Sequence, residues 1–238
     1  MKITKTAILL ILVFIGHLGM SQITYKITLF RATPGKLIQL IEELKSKSEL
    51  YVKAGGEKPY IIRHSQGDHW DLMIYEYINN LPAYYSGSEK LSKMFTPEYG
   101  DDFYDLIAFH ENILVNGSDY KTFSEMLETN NFFHVELFVA LPGKQKELLK
   151  ERLMENEYLE KIGRNKNLIF TTIEGASWDN FTLGGYRDIK HFAESADIPY
   201  EKEEKAAISA GFKGVSDISF YLRSLIYRHN DTLAKKVK

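Results

Sequence analysis

The chain contains no cysteine among its 238 residues. Disulfide bonds, thiolate metal sites and a lipid-modified cysteine are therefore excluded, and an oxidising compartment is tolerated without being exploited. A strong charge of one sign is also lacking, because 30 lysine and arginine residues stand against 32 aspartate and glutamate residues. Since no basic stripe or aromatic-interleaved basic cluster occurs, nucleic acid is not an expected partner.

Several motifs of catalytic and cofactor sites are missing as well. Pro34-Gly35-Lys36 and Pro142-Gly143-Lys144 lack the spaced glycines and the Ser/Thr of a phosphate-binding loop, and a helix start explains them better. The sequence has no nucleophile elbow, no Ser-His-Asp order and no dinucleotide-binding fingerprint. We therefore expect no cofactor.

Long apolar runs are confined to the N-terminus. Two lysines precede an apolar run over Ala7–Gly16, and Gly19-Met20-Ser21 supplies the small residues of a cleavage site. The alternative, a membrane anchor, would need about 20 apolar residues to span the bilayer. Residues 1–21 are therefore predicted to be a cleaved signal peptide. We expect an exported protein, periplasmic or secreted, with no membrane contact after cleavage.

The main positive signal is an internal repeat. Residues 25–87 align with residues 133–195 without a gap at an offset of 108 positions, and 16 of the 63 aligned pairs are identical. Chance would give about four identities for average composition. Such self-similarity is the signature of a duplicated module. We divide the rest of the chain into a first repeat at 22–118, a linker at 119–131 and a second repeat at 132–238.

Each repeat has the same predicted order of elements. Apolar alternation and turn residues predict eight strands: Tyr25–Phe30, Tyr60–Ile62, Trp70–Ile78 and Asp105–Val115, then Phe133–Val139, Leu168–Ile173, Trp178–Leu183 and Asp217–Arg228. A helix with Thr33 as N-cap and Pro34 at its first position follows the first strand. In the linker, Phe123, Met126 and Leu127 share one face of a short helix. The order βαββαβ, twice, is ferredoxin-like.

The residues also resemble a known superfamily. A first strand leading into Pro-Gly-Lys, a long helix, and a hairpin whose second strand opens with Trp70-Asp71 or Trp178-Asp179 are similar to the dimeric α+β barrel proteins. These include antibiotic-biosynthesis monooxygenases and EthD-like, NIPSNAP-like and haem-degrading proteins. The resemblance implies an α+β fold in which two tandem ferredoxin-like repeats pack their antiparallel sheets into one intrachain barrel. It implies no particular activity, because the superfamily has no shared catalytic signature.

Strand alternation predicts which side chains point into that barrel. We assign the apolar Ile27, Leu29, Val135 and Leu137 to the face under the helices. The opposite face would line the lumen, and its polar residues differ between the repeats: Lys26, Thr28 and Arg63 against His134, Glu136 and Thr171. An asymmetric lumen would suit an asymmetric small molecule. The alternative is a seam of polar groups that satisfy one another.

His134 and Glu136 are the candidate catalytic residues. They lie two apart on one strand, so a carboxylate could orient an imidazole that exchanges protons near neutral pH. Lys26, Arg63 and Thr171 are the candidate ligand-binding residues. The predicted function is an exported small-molecule-binding protein, with cofactor-independent monooxygenase-like activity as its enzymatic form. The alternative is a non-catalytic binding or structural module, and the oligomeric state is left open.

Two further sites are considered and not expected. His64, Asp68 and His69 cluster on the first hairpin and could offer metal ligands, but no recognised ligand spacing is present, so no metal is predicted. In haem-degrading members of the superfamily, a Trp, a His and a first-strand Asn shape the pocket. The first strands here have Lys26 and His134 in place of Asn, so that set is incomplete. The equivalent Trp70 and Trp178 are expected to pack in the core.

Overall fold

The structure is a computed structural model that describes residues 23–78, 81–87, 89–98 and 100–238. Its strands are β1 (Ile23–Ala32), β2 (Tyr60–Gln66), β3 (Leu72–Ile78), β4 (Ile107–Gly117), β5 (Phe132–Ala140), β6 (Leu168–Glu174), β7 (Asn180–Tyr186) and β8 (Ile226–Lys236). Its helices are α1 (Leu37–Lys53), α2 (Leu81–Gly87), α3 (Glu89–Lys93), α4 (Tyr120–Thr129), α5 (Gln145–Ile162), α6 (Ile189–Ala193), α7 (Tyr200–Ser209) and α8 (Val215–Leu225). The predicted signal peptide lies outside the described residues. Within the described ranges, no helix combines the length and apolar character that crossing a membrane requires.

The strands form one closed antiparallel barrel in the order β1-β3-β2-β8-β5-β7-β6-β4. The last strand of each half of the chain joins the two halves. β4 pairs with β1 and reaches across to β6, and β8 pairs with β5 and reaches across to β2. Closure leaves the sheet without exposed edges. The barrel is thus completed within a single chain.

The two Trp-Asp dipeptides make the same backbone bonds in the two halves. The side chain of Asp71 accepts a hydrogen bond from the Ala32 N–H at 2.8 Å, and Asp179 accepts one from the Ala140 N–H at 2.8 Å. The N–H of each aspartate also donates to a carbonyl near the end of β1 or β5. These bonds fasten the start of β3 to β1 and the start of β7 to β5.

The barrel interior is filled by apolar and aromatic side chains from both halves. Its main members are Tyr25, Ile27, Leu29, Trp70, Tyr75, Phe133, Val135, Leu137, Phe170, Trp178 and Phe181. The rings of Phe170 and Phe181 stack with centroids 4.5 Å apart. The two tryptophans lie in this core, as their equivalent positions in the sequence predicted. An interior of this kind is a packed core.

Helix α4 covers one end of the barrel. It leads from the end of β4 to the start of β5, and its buried Phe123 and Leu127 belong to the interior cluster. The Phe123 ring contacts those of Tyr25, Tyr60 and Tyr75 at centroid distances of 5.0–5.5 Å. The linker predicted from sequence is therefore a structural plug, while the two β-hairpins lie at the opposite end.

The predicted orientation of the side chains on β1 and β5 is wrong. Ile27, Leu29, Val135 and Leu137 point into the barrel, and the alternate residues, such as Phe138, pack against the helices. Both faces of these strands are buried, one by the opposite strands and one by the helices. A period-two pattern separates the two faces without saying which layer covers each.

The predicted lumen residues consequently lie on the outer side of the barrel. Lys26, Arg63, His134, Glu136 and Thr171 all alternate with interior residues of their strands, so their side chains face the helices or solvent. Their placement in a lumen is wrong. Their role in binding stays a prediction.

The last strand of the second half begins later than predicted. The segment from Val215 to Leu225 is helix α8, and β8 starts at Ile226, whereas the sequence suggested a strand over Asp217–Arg228. Apolar residues in this segment recur at helical spacing and pack on α5 and α7. Helix α1 also begins later than expected, at Leu37. Thr33 instead opens a turn, in which the Thr33 carbonyl accepts a hydrogen bond from the Lys36 N–H.

Candidate functional site

His134 and Glu136, the predicted catalytic pair, lie on the outer face of β5 beneath α5. His134 Nδ1 is 4.0 Å from Glu136 Oε2, and His134 Nε2 is 3.4 Å from Asp231 Oδ1 on β8. The Thr182 hydroxyl donates to Glu136 Oε2 at 2.9 Å. Burial lowers the pKa of His134, but the hydrogen bond that its ring donates to Asp231 and the charges of the carboxylates outweigh burial, so the pKa is raised. The two-residue spacing on one strand correctly predicted that His134 and Glu136 lie together. The sequence analysis did not identify Asp231, which lies on β8.

A group of charged residues on α5 covers this pair. Arg152 Nε lies 2.6 Å from Glu151 Oε2, its Nη1 contacts Glu155, and its guanidinium lies over the ring of Phe138. Burial raises the pKa of Glu155 to about 7 against the opposing pull of Arg152, and Glu136 and Glu151 add to the rise. Carboxylates thus outnumber fixed cations between α5 and β5.

The three predicted ligand-binding residues are not brought together. Lys26 Nζ forms a buried ion pair with Glu76 Oε2 at 3.3 Å and also donates to the Ser92 carbonyl at 3.3 Å. This is the pairing of polar groups that the sequence left open. Arg63 is exposed on β2 and Thr171 is half-buried on β6. β3 separates β2 from β1, and β4 separates β6 from β1.

The end of the barrel opposite α4, where the two hairpins lie, contains a cavity. We call it the barrel mouth. Its enclosed part has a volume of about 40 Å³, and the lining includes Asp68, His69, Glu111, Trp178, Arg228 and Asn230. An open depression of about 480 Å³ shares Asp68, His69 and Asn230 with it. The enclosed part has room for a few water molecules or one small polar group, and the depression has the volume of a ligand site.

Asp68 and His69 form a carboxylate–imidazole pair at the barrel mouth. His69 Nδ1 lies 2.5 Å from Asp68 Oδ1, and the Asn230 side chain donates to Asp68 Oδ2 at 3.1 Å. The Asp68 side chain is 5% exposed and that of His69 is 60% exposed. Burial works against the ionised form, but hydrogen bonds from Asn230 and His69 lower the pKa of Asp68. Asp68 therefore stays an anion that orients the imidazole through Nδ1, and within the described ranges no hydrogen bond to His69 Nε2 is formed.

Glu111 adds a second carboxyl group to the barrel mouth. Burial raises the pKa of Glu111, with His69 opposing the rise and Asp68 adding to it. His64, expected in the same cluster, instead has its ring 5.8 Å from that of Trp70. The sequence pointed to this hairpin through Asp68 and His69. It missed Glu111 because that residue comes from β4, across the barrel mouth.

Trp178 and His191 do not form the Trp–His arrangement that the resemblance to haem-degrading proteins would imply. Trp178 lies in the barrel interior, whereas His191 is on α6 outside the barrel, with its ring 5.7 Å from that of Tyr186. The two side chains are on opposite sides of the sheet.

Comparison with known proteins identifies the fold. No protein-family model matches the sequence, and no curated protein matches it. An anthrone oxidase-like protein is similar in structure with a TM-score of 0.62 at 12% identity, over 92% of this chain and 93% of that chain. The chain has the fold of the dimeric α+β barrel proteins.

Two further solved structures are similar to this chain over most of its length. A candidate monooxygenase from Lactobacillus acidophilus NCFM has a TM-score of 0.52 at 9% identity, over 90% of this chain and 94% of that chain. A chlorite dismutase from Candidatus Nitrospira defluvii has a TM-score of 0.51 at 12% identity, over 93% of each chain. At such identities the likeness establishes the fold alone.

Proposed function

We propose that this protein is an exported small-molecule-binding protein whose ligand site is the barrel mouth. The observation that carries the proposal is the coincidence of the Asp68–His69 pair with the cavity. A concave site with a few convergent polar groups and a titratable residue is the usual form of a ligand site. The barrel interior is packed, so a ligand would enter only as far as the enclosed part of the barrel mouth.

The pair suits proton abstraction. His69 Nε2 would take a proton from a weakly acidic O–H or C–H group, and the Asp68 carboxylate would stabilise the imidazolium that results. Arg228, which also lines the cavity, would stabilise the ligand anion. A positioned base of this kind contributes about 10²–10⁴-fold to a rate. Monooxygenase-like activity without an organic cofactor is the enzymatic form of the proposal, and binding without turnover is the alternative.

We also propose that the two halves are copies of one ferredoxin-like module. The offset of 108 residues that aligns the sequence also converts the bounds of β2 and β3 into those of β6 and β7. Asp71 and Asp179 make corresponding bonds. The Asp68–His69 pair has Ala176 and Ser177 at the corresponding positions, so the site would be single and asymmetric.

The experiment is a thermal-shift screen of the purified protein with oxygen-uptake measurements. Small phenols and anthrones come first, since a structural neighbour is anthrone oxidase-like. A ligand that binds the native state raises the melting midpoint by mass action. Oxygen uptake in addition would identify the enzymatic form, and a shift without uptake would identify the binding module.

A matched variant tests whether the ligand binds at the barrel mouth. Asp68→Ala combined with His69→Ser gives the first hairpin the residues of the second, so we expect the fold to be kept and the ligand-induced shift to be lost. His191→Ala, on α6, should keep the shift. Equal shifts in the wild type and the hairpin variant would place the site elsewhere and overturn the proposal.

A further inference from the structure

A second group of potential ligands lies on the outer face of the second half, with Asp231 at the edge of the barrel-mouth depression. One ligand atom from each of His134, Glu136 and Asp231 lies within 4.8 Å of the other two, and the His134–Asp231 separation is 3.4 Å. Nitrogen and oxygen atoms bound to one metal ion at about 2.1 Å are at most about 4.2 Å apart. Small side-chain rotations would therefore close these three groups around one ion.

The strands hold the three groups in register. Glu136 on β5 is paired directly with Asp231 on β8, and His134 precedes Glu136 by two residues, so all three share one face. Neighbouring groups orient the carboxylates: Thr182 donates to Glu136 Oε2 at 2.9 Å, and His229 Nε2 lies 3.3 Å from Asp231 Oδ2. Outer partners of this kind fix the direction of metal-ligating groups.

Charge balance favours a cation at this place. Arg152 is already paired with both Glu151 and Glu155. Among the residues that the structure describes, no lysine or arginine lies within ion-pair distance of Glu136 or Asp231. Carboxylates that face one another in a partly buried place repel, and a bound cation would remove that repulsion.

In the first half, the positions that correspond to Glu136 and Asp231 carry neutral residues. Thr28 is paired with Asn112 as Glu136 is paired with Asp231, and the Thr28 hydroxyl donates to Asn112 Oδ1 at 3.0 Å. Lys26, at the position that corresponds to His134, supplies a fixed positive charge there. In the second half, a hydrogen-bonded neutral pair is replaced by two carboxylates, and the ammonium is replaced by an imidazole.

We propose that His134, Glu136 and Asp231 bind a divalent first-row transition metal ion through one imidazole nitrogen and two carboxylate oxygens. Mixed nitrogen and oxygen donors without thiolate suit Zn²⁺, Fe²⁺ or Mn²⁺. His134 and Glu136 are mostly buried, and Asp231, which is 52% exposed, leaves access for the ion and for water ligands. Asp231 also lines the open depression at the barrel mouth, whereas His134 and Glu136 do not, and the proposed ion does not depend on the function proposed for Asp68 and His69.

The test is a titration of tag-free protein, stripped with a chelator, with Mn²⁺ and separately with Zn²⁺. We expect one ion per chain by calorimetry and, at 100 times Kd, a rise in melting midpoint of about 5–10 °C. Electron spin-echo spectroscopy of the Mn²⁺ form should show coupling to an imidazole nitrogen. Absence of stoichiometric binding, or binding without nitrogen coupling, would overturn the proposal.

Variants then locate the ion. Glu136→Thr with Asp231→Asn installs the residues of the first half and should weaken binding by about 100-fold or more, because loss of an outer partner alone costs about 10–100-fold. The control, Glu42→Gln with Glu43→Gln, removes two exposed carboxylates on α1 in the first half and should bind as the wild type does. Unchanged affinity in the first variant, or loss in the control alone, would refute the site. Circular dichroism of the metal-free variants checks that they fold. The imidazole nitrogen signal of the wild-type Mn²⁺ form tests the proposal even if a variant does not fold.

Discussion

Gly175, at the tip of the β6–β7 hairpin, lies directly against the backbone carbonyl of Asn112 on β4. The contact joins the two halves, because β4 comes from the first. A Cβ at Gly175 would overlap that carbonyl and lie 3.2 Å from the Cα of Ile113. Gly67 has the corresponding contact with the Asp231 carbonyl on β8. The two glycines thus allow the barrel to close at its mouth.

Gly175→Ala should therefore destabilise the protein more than Gly143→Ala. The φ angles are similar, +88° and +79°, but a Cβ at Gly143 meets nothing within 4 Å. Left-handed backbone strain costs about 1–2 kcal/mol in both variants, and overpacking adds about 1–3 kcal/mol at Gly175 alone. Urea unfolding measures the difference. Equal losses would show that strain acts alone and that the contact is unimportant.

The position of α4 gives a second prediction. Phe123→Ala should lower the free energy of unfolding by about 3–5 kcal/mol, because it removes a buried ring from the end of the barrel core. Phe220→Ala, at an exposed position on α8, is the control and should change it by less than about 0.5 kcal/mol. A small effect at Phe123 would mean that α4 only connects the halves and does not close the barrel.

Much of the fold could be predicted because the informative residues repeat. Glycine at positions 67 and 175 and aspartate at 71 and 179 are required by backbone contacts that recur in both halves. Aligning the sequence with itself at an offset of 108 residues therefore located the two hairpins and six of the strands. It failed for β8, which begins 119 residues after β4, because α7 and α8 lengthen the second half.

The candidate sites were predictable only where their members are close in sequence. His134 with Glu136, and Asp68 with His69, follow from local spacing. Asp231, by contrast, joins the first pair through strand pairing across almost 100 residues. Such partners depend on register, which local patterns do not set when both faces of a strand are buried.

Acid stability gives a third prediction, through Glu128 on α4. Lys58 Nζ lies 2.7 Å from its carboxylate and the Tyr60 hydroxyl donates at 2.9 Å; these hydrogen bonds lower the pKa of Glu128 to about 2. Because the folded pKa lies below the ordinary value of 4.5, the stabilisation is present above pH 4.5 and is lost as pH falls toward 2.

The melting midpoint of Glu128→Gln should consequently be a few degrees lower than that of the wild type at pH 7, and the gap should narrow as pH falls toward 2. Salt should also reduce it, since the group is half exposed and screened. Glu125→Gln on the same helix is the control and should match the wild type. A gap that stays constant with pH would exclude the carboxylate as its cause.

The buried ion pair between Lys26 and Glu76 gives the fourth prediction. The side chains are 6% and 0% exposed and 3.3 Å apart. Removing one partner leaves a buried charge, so Lys26→Met or Glu76→Gln should cost about 3–5 kcal/mol, whereas Lys26→Met with Glu76→Gln should cost much less than the sum. Chemical unfolding of the four proteins gives the coupling energy. Additive losses would show that the charges do not interact.

The single variants should also differ in their pH dependence. Burial raises the pKa of Glu76 and Lys26 opposes that rise, so Lys26→Met should raise it further. A carboxyl group whose folded pKa is above its unfolded value stabilises the fold only while it is protonated, and that stability is lost as pH rises through the folded pKa. The defect of Lys26→Met should therefore shrink as the pH is lowered from 8 toward 5.

Glu76→Gln has no carboxyl group to protonate, and its defect should not shrink over that range. The same pH profile in both variants would mean that the Glu76 carboxylate is not the buried charge that destabilises the Lys26→Met protein.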